Sequence, residues 1–230
     1  MSIADNLESV REKVAAAERR AGRAAGSVRL MAVSKFNPAE SVLEAIASGQ
    51  LLFGENRVQE ASDKFTSILP VHPATELHLI GSLQRNKVKQ IVPLAACIQS
   101  VDRPELLAEI EKQAASAGKT IKILFEMHTG EESKAGFPDR DSLFRAIDTL
   151  EGSTHVSCAG LMTMAPFSSD RDLIRSSFRA LVSIQRECAL RYPAFDFSVL
   201  SMGMSADFDI AIEEGSTLVR IGTAIFGART

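Results

Sequence analysis

Cysteine is scarce and badly placed for a scaffolding role. The 230 residues hold three, Cys97, Cys158 and Cys188, an odd number at wide spacing and without a C-x-x-C pair. That pattern excludes a disulfide framework and a zinc knuckle and predicts a reducing compartment. No apolar run approaches the roughly 20 residues of a membrane span. The first residues lack the apolar core of a secretion signal, and Asp5, Glu8, Glu12 and Glu18 interrupt the basic residues that a transit peptide needs. These absences predict a soluble, cytoplasmic protein. Excess charge is missing as well: 26 Lys+Arg against 29 Asp+Glu leave a formal charge of −3. A binder of phosphate backbones carries the opposite imbalance, so nucleic acid is not an expected partner. His72, His78, His128 and His155 show neither H-x-H nor H-E-x-x-H spacing, and no metal site is expected. No G-x-S-x-G elbow is present. Ala117-Gly118-Lys119-Thr120 imitates the end of a phosphate loop, but Gln113 occupies the first glycine position and a strand follows, so the segment reads as a helix stop.

What is present is a regular alternation. From Ile3 the apolar positions Leu7, Val10, Val14, Ala17 and Ala21 keep helical spacing until Gly22 and Gly26 stop it. Short β-rich runs then recur at 29–34, 51–53, 77–80, 97–100, 121–127, 156–162, 197–200 and 217–221, separated by amphipathic helix-length segments. Eight strands alternating with helices imply right-handed crossovers and a parallel sheet hidden on both faces. The fold expected is α/β, a single (β/α)8 TIM barrel over residues 1–230 with an extra N-terminal helix within 1–26 packed on it. An open doubly wound sheet is the competitor, weakened by the lack of G-x-G-x-x-G after the first strand.

In such a barrel the chemistry sits at the C-terminal ends of the strands. The first strand closes in Ser34-Lys35 and the last in Arg220-Ile221-Gly222-Thr223. A lone strand-end lysine is usually a snorkelling surface residue. The sharper reading is a desolvated amine that condenses with an aldehyde. The turns Ser201-Met202-Gly203-Met204-Ser205 and Gly222-Thr223 support it, because barrels often hold a phosphate after strands seven and eight. Ordinary turn chemistry is the bland account of each turn taken alone. A buried Arg220 requires an acceptor, either a structural carboxylate or a ligand atom. Lysine, phosphate cradle and arginine together describe an anionic aldehyde cofactor, of which pyridoxal 5′-phosphate is the common one. Of the histidines, His78 at a strand end is the best pocket candidate, with a satisfied core histidine as the equal alternative.

The blocks MAVSKFNPAE, FGENRVQEASDK, HLIGSLQRNKVK, SVDRPELL, GEESKAG, GLMTMAP and LSMGMSADFDIAIEEGSTLVRIGTAIFGAR span nearly the whole chain. Together they resemble the pyridoxal phosphate homeostasis proteins, barrels similar to the N-terminal domain of alanine racemase. The resemblance implies a Schiff base on Lys35, Arg220 facing the pyridine nitrogen, and Ser201, Gly222 and Thr223 holding the phosphate. It also implies Asn56 beside the ring and Met162 in the pocket lining. The function it implies is cofactor carriage and buffering, with indirect effects on amino-acid and keto-acid pools and with apo-enzymes as recipients. Phe36 and His128 depart from the residues expected of the family, a smaller polar residue and an asparagine.

The alternative is a small racemase or lyase. A racemase needs a base on each face of the substrate, the second being a tyrosine from a C-terminal β domain in the alanine racemase pattern. The sequence has one tyrosine, Tyr192, expected at the end of an outer helix, and runs to Thr230 without such a domain. No catalytic residue is therefore expected, and a monomer is the expected state. Arg85, Lys87 and Lys89 read as a solvated helix start, which the resemblance makes a candidate docking surface or second cofactor site. Glu131-Glu132 and Glu213-Glu214 read as solvent-facing carboxylates.

Overall fold

The computed structural model describes residues 2–130 and 135–227. Ser2 opens the first helix, α1 (Ile3–Arg20), with a reciprocal cap: its hydroxyl accepts from the Asp5 N–H while its own N–H reaches the Asp5 carboxylate. Leu7, Val10, Val14 and Ala17 bury the inner face. The buried Glu18 accepts from the N–H groups of Gly26 and Val28 and from the Ser27 hydroxyl, so the helix is tied to the chain entering the first strand.

From there strand and helix alternate: β1 (Arg29–Val33), α2 (Ala39–Ala47), β2 (Leu52–Glu55), α3 (Val58–Ile68), β3 (Glu76–Leu79), α4 (Val88–Ile91), β4 (Cys97–Val101), α5 (Pro104–Ser116), β5 (Ile121–Glu126), α6 (Arg140–Asp148), β6 (Val156–Met162), α7 (Arg171–Arg191), β7 (Val199–Ser201), α8 (Phe208–Glu213), β8 (Leu218–Ile221) and α9 (Thr223–Phe226). All neighbouring pairs are parallel, and β1 pairs with β8 through Met31 and Arg220, which closes the barrel in chain order. The open-sheet alternative is thereby removed. Strands hidden on both faces need near-continuous apolar runs, and β4 is buried along its whole length. α1 packs against α2, α8 and α9, and the Asn6 amide donates to the Ile225 carbonyl at 2.8 Å.

One departure from the expected elements has a local cause. The apolar run at 51–53 signals a strand stopping at Phe53, yet β2 continues through Gly54 and Glu55. The Gly54 carbonyl accepts from Ser34 N–H at 3.1 Å and that of Glu55 from Ile80 N–H at 2.9 Å. The buried Glu55 carboxylate is tolerated because it meets Lys64 of α3 at 2.6 Å. The expected helix stop at 117–120 is found, with Gly118 at φ +60°. Lys119 folds its ammonium onto the carbonyls of Val92, Pro93 and Ala95, capping the chain after α4 instead of cradling a phosphate. No helix among the described residues is long and apolar enough to cross a membrane.

Candidate functional site

A cavity of about 510 Å³ opens at the C-terminal end of the barrel. Lys35, Asn56, Arg220, Gly222 and Thr223 all line it. The strand ends bring together these five residues singled out by the sequence.

Lys35 follows β1 in a turn held from several sides. Asn37 N–H donates to the Ser34 carbonyl at 3.1 Å, and the Asn37 amide to that of Lys35 at 3.0 Å. Phe36 adopts φ +66°, a left-handed conformation that costs an ordinary residue about 1–2 kcal/mol. The turn offsets that cost: Phe36 N–H donates to Glu60 at 2.9 Å, and the Arg57 guanidinium lies 5.5 Å from its ring centre. Beneath it, the Lys64 ammonium donates to the carbonyls of Ser34 (2.9 Å) and Asn37 (3.0 Å) and to Glu55 (2.6 Å). The Ser34 hydroxyl donates to the same Glu55 oxygen at 2.7 Å. Burial pushes the Glu55 carboxyl above its ordinary pKa, opposed by Lys64 and Ser34. Phe36 is thus half exposed and serves the turn.

Next to Lys35, Asn56 is backed by Gly81, where a Cβ would lie 2.2 Å from the Asn56 carbonyl oxygen. Only glycine allows the two strand ends to approach so closely.

Arg220 enters from β8 and is almost wholly buried. It donates to the Ser201 carbonyl and hydroxyl, each at 2.7 Å, and to the Thr163 carbonyl at 2.8 Å. Burial lowers its pKa to about 10 against the opposing charges of Glu126 and Asp207, and the group stays cationic. Ser205 and Ala206, from the turn after β7, and Gly222 and Thr223, which start α9, face the same cavity. A Cβ on Gly222 would come within 3.1 Å of the Val33 carbonyl oxygen, a tight contact that would require the neighbouring strand end to give by a few tenths of an ångström.

One charged residue of the cavity lining escaped the sequence reading. Glu126 ends β5, is 2% exposed and lines the cavity. Burial raises its pKa from 4.5 to about 7; Asp102 adds to the rise and Arg220 opposes it. The signal was available, since Glu126 is the polar residue that closes an apolar run. A raised carboxyl pKa means that between about pH 4.5 and 7 the unfolded chain is ionised while the folded one keeps the proton. Stability therefore falls as pH rises through that window. Glu126→Gln is expected to remove that part of the pH dependence and to raise stability at pH 8 by about 2–3 kcal/mol, read from urea unfolding at several pH values.

Four expected site residues stand elsewhere. Ser201 is fully buried and does not line the cavity; its hydroxyl accepts from Arg220 and donates to Gln99, each at 2.7 Å. Met202 is buried in the packing behind the turn, its N–H bonded to the Leu218 carbonyl. Met162 packs with Cys97, Leu124 and Ala159 inside the barrel. His78 points to the other end, where a second cavity of about 460 Å³ also exposes Arg29 and Lys122. Gln99 holds its Nδ1 at 2.8 Å and Glu76 lies 3.6 Å from its Nε2, so the satisfied-histidine alternative is the observed one.

The remaining candidates resolve simply. Arg85–Lys87 is a short exposed turn, with Arg85 3.8 Å from Glu109. Glu213 and Glu214 are ion-paired to Arg175 and Arg179 instead of merely solvated. Glu131 and Glu132 lie outside the described residues. The Tyr192 hydroxyl, at the end of α7, donates to Asp148 at 2.7 Å and is pushed up to about 12. Among the described residues no group of three His, Cys, Asp or Glu side chains is gathered to hold a metal ion.

Barrel, strand-end lysine and strand-end arginine define a protein of the alanine racemase N-terminal type, and the family model "Alanine racemase, N-terminal domain" matches residues 6–230. Curated relatives narrow this. A pyridoxal phosphate homeostasis protein of Vibrio cholerae is 38% identical, covering 99% of this chain and 97% of its own. That of Aquifex aeolicus is 36% identical over 100% and 99%. The chain belongs to the pyridoxal phosphate homeostasis protein family. Among solved structures, PipY of Synechococcus elongatus, described with pyridoxal phosphate bound, superposes with a TM-score of 0.87 at 34% identity, covering 98% of this chain and all of that one. An alanine racemase of Streptomyces coelicolor, at 19% identity and TM-score 0.72, shares the fold over 58% of its own length.

Proposed function

We propose that this protein binds pyridoxal 5′-phosphate through a Schiff base on Lys35 and acts as an intracellular carrier and buffer of the cofactor. The observation that carries the reading is the convergence of Lys35 and Arg220, from adjacent strands, on one cavity. Its volume suits a ligand of that size, and the residues present fit the chemistry. Lys35 supplies the amine. Gly222, Thr223, Ser205 and Ala206 supply a close-approach, donor-rich wall for the phosphate. Arg220 would hold the ring nitrogen, with Asn56 beside the ring. The names of the curated relatives and the description of the PipY structure support the same ligand.

When bound, the cofactor supplies an aldehyde for reversible condensation with amines and a ring able to accept electrons. Arg220 stays charged at neutral pH, and a cation against the ring nitrogen disfavours its protonation, which weakens that acceptor. Tyr192 is held by Asp148 outside the cavity and cannot serve as an opposing base. These residues suit holding and release better than α-proton chemistry. Apo-enzymes that need the cofactor are the proposed recipients, and altered amino-acid and keto-acid pools the indirect consequence.

A racemase or lyase reading draws on one observation: Glu126, a carboxyl that burial raises to about 7, lines the cavity where an acid–base group would be needed. The two readings separate when the loaded protein is incubated with alanine, serine or threonine in deuterated water. The carrier reading expects no enzymatic α-hydrogen exchange and cofactor transfer to an added apo-enzyme. Rapid exchange would replace it with the enzyme reading. Tyr192→Phe is expected to leave cofactor binding unchanged and to lower stability by about 1 kcal/mol in thermal unfolding, the worth of one hydrogen bond.

A further inference from the structure

We infer that Gln99 and His78 are positioning residues for Arg220, acting through a hydrogen-bonded chain that crosses the barrel; the inference rests on the reading of the cavity as the pyridoxal phosphate site. TIM-barrel interiors are packed mainly with branched apolar side chains, and here Met31, Val33, Leu52 and Leu218 form one small cluster and Cys97, Leu124, Ala159 and Met162 another. A polar chain shares the space. Arg220 Nη1 donates to Ser201 Oγ at 2.7 Å, Ser201 Oγ donates to Gln99 Oε1 at 2.7 Å, and Gln99 Nε2 lies 2.8 Å from His78 Nδ1. Glu76 lies 3.6 Å from His78 Nε2 and is bonded to Arg29 at 2.9 Å. Gln99 is on β4 and Ser201 on β7, which are not neighbours in the barrel, so their bond spans the interior. Gln99 and Ser201 are completely buried, and His78 and Arg220 nearly so.

The direction of each bond is fixed by its neighbour. Arg220 can only donate, so Ser201 Oγ accepts from it and has one proton to give, to Gln99 Oε1. That turns the Gln99 amide nitrogen toward His78, whose Nδ1 accepts and whose Nε2 keeps its proton for Glu76. Burial lowers the His78 pKa, consistent with a neutral ring. The chain thus sets which lone pair of Ser201 meets Arg220, and with it the direction in which the guanidinium presents its other N–H groups to the cavity. None of these links touches the cavity before Arg220, so Gln99 and His78 act through the arginine.

Gln99→Met keeps the side chain's length and removes both polar atoms. Losing the acceptor that fixes the Ser201 hydroxyl, and through it the guanidinium of Arg220, is expected to weaken pyridoxal phosphate binding about tenfold and to shift the visible band of the loaded protein. In an Arg220→Lys background the same change is expected to weaken binding less than twofold, because there is no guanidinium left to orient. Should Gln99→Met not fold, as judged by circular dichroism, His78→Leu removes the anchor of the Gln99 amide and carries the same expectation. A folded variant with affinity and band unchanged, or an equal loss with and without Arg220, overturns the positioning role while the cofactor site stands. An unmodified chain that takes up no pyridoxal phosphate overturns the reading of the cavity and the role together.

Discussion

Lys35→Ala purified from cells supplied with the cofactor is expected to be colourless, while the unmodified chain carries a visible absorption band. Added pyridoxal phosphate should still bind the variant, because the phosphate wall and Arg220 remain, but on the order of a hundredfold more weakly, about 2.7 kcal/mol. The prediction is specific to this lysine for a structural reason. Among the described residues Lys64 and Lys119 are also drawn inward, and each spends its ammonium on three protein oxygens. Condensation there would break a structural cap, whereas Lys35 faces the cavity. Absorbance and equilibrium dialysis together check the outcome. A variant that keeps the band shows that some other amine carries the cofactor.

The second large effect is one of stability. Lys64→Met is expected to cost about 3–5 kcal/mol, because it leaves Glu55 buried without its counter-charge and takes a donor from the Ser34 and Asn37 carbonyls. The Glu55 carboxyl already stands above its ordinary value through burial, with Lys64 pulling it down. Without Lys64 it rises further, so the folded variant holds a proton that the unfolded chain loses once pH passes the ordinary carboxylate value. The deficit against the unmodified protein should therefore grow from acid to neutral pH. Urea unfolding at pH 5 and pH 8 measures it, and Glu55→Gln combined with Lys64→Met should recover more than half of the loss. Equal deficits at both pH values would contradict a charge origin. The same variant frees the turn that carries Lys35, so weaker cofactor retention should accompany the loss.

The barrel was legible because each strand is an apolar run bounded by an amphipathic helix, and because parallel strands buried on both faces leave that signal unbroken. The strand-end rule likewise found Lys35, Asn56, Arg220, Gly222 and Thr223, which carry polar or small groups just where apolar runs stop. Ser201, Met202 and His78, which the same rule singled out, do not line the cavity, and the reason is common to them. A strand buried on both faces shows no alternation, so the sequence does not reveal which of two successive residues points inward or toward which end of the barrel. Ser201 is polar at a strand end, as expected, yet its hydroxyl turns inward to Gln99. Glu126 obeyed the rule and was absorbed into an apolar run read through to Met127. Lys64 had no sequence signal, since its partners lie in a different strand and turn and meet it only once α3 has packed.

The most direct test of the central claim is borohydride reduction of the loaded protein followed by peptide mapping. The account predicts one reduced pyridoxyl group per chain, on the peptide containing Lys35, and none on that peptide in Lys35→Ala. A label on any other lysine, or no label in a protein that binds the cofactor, contradicts it.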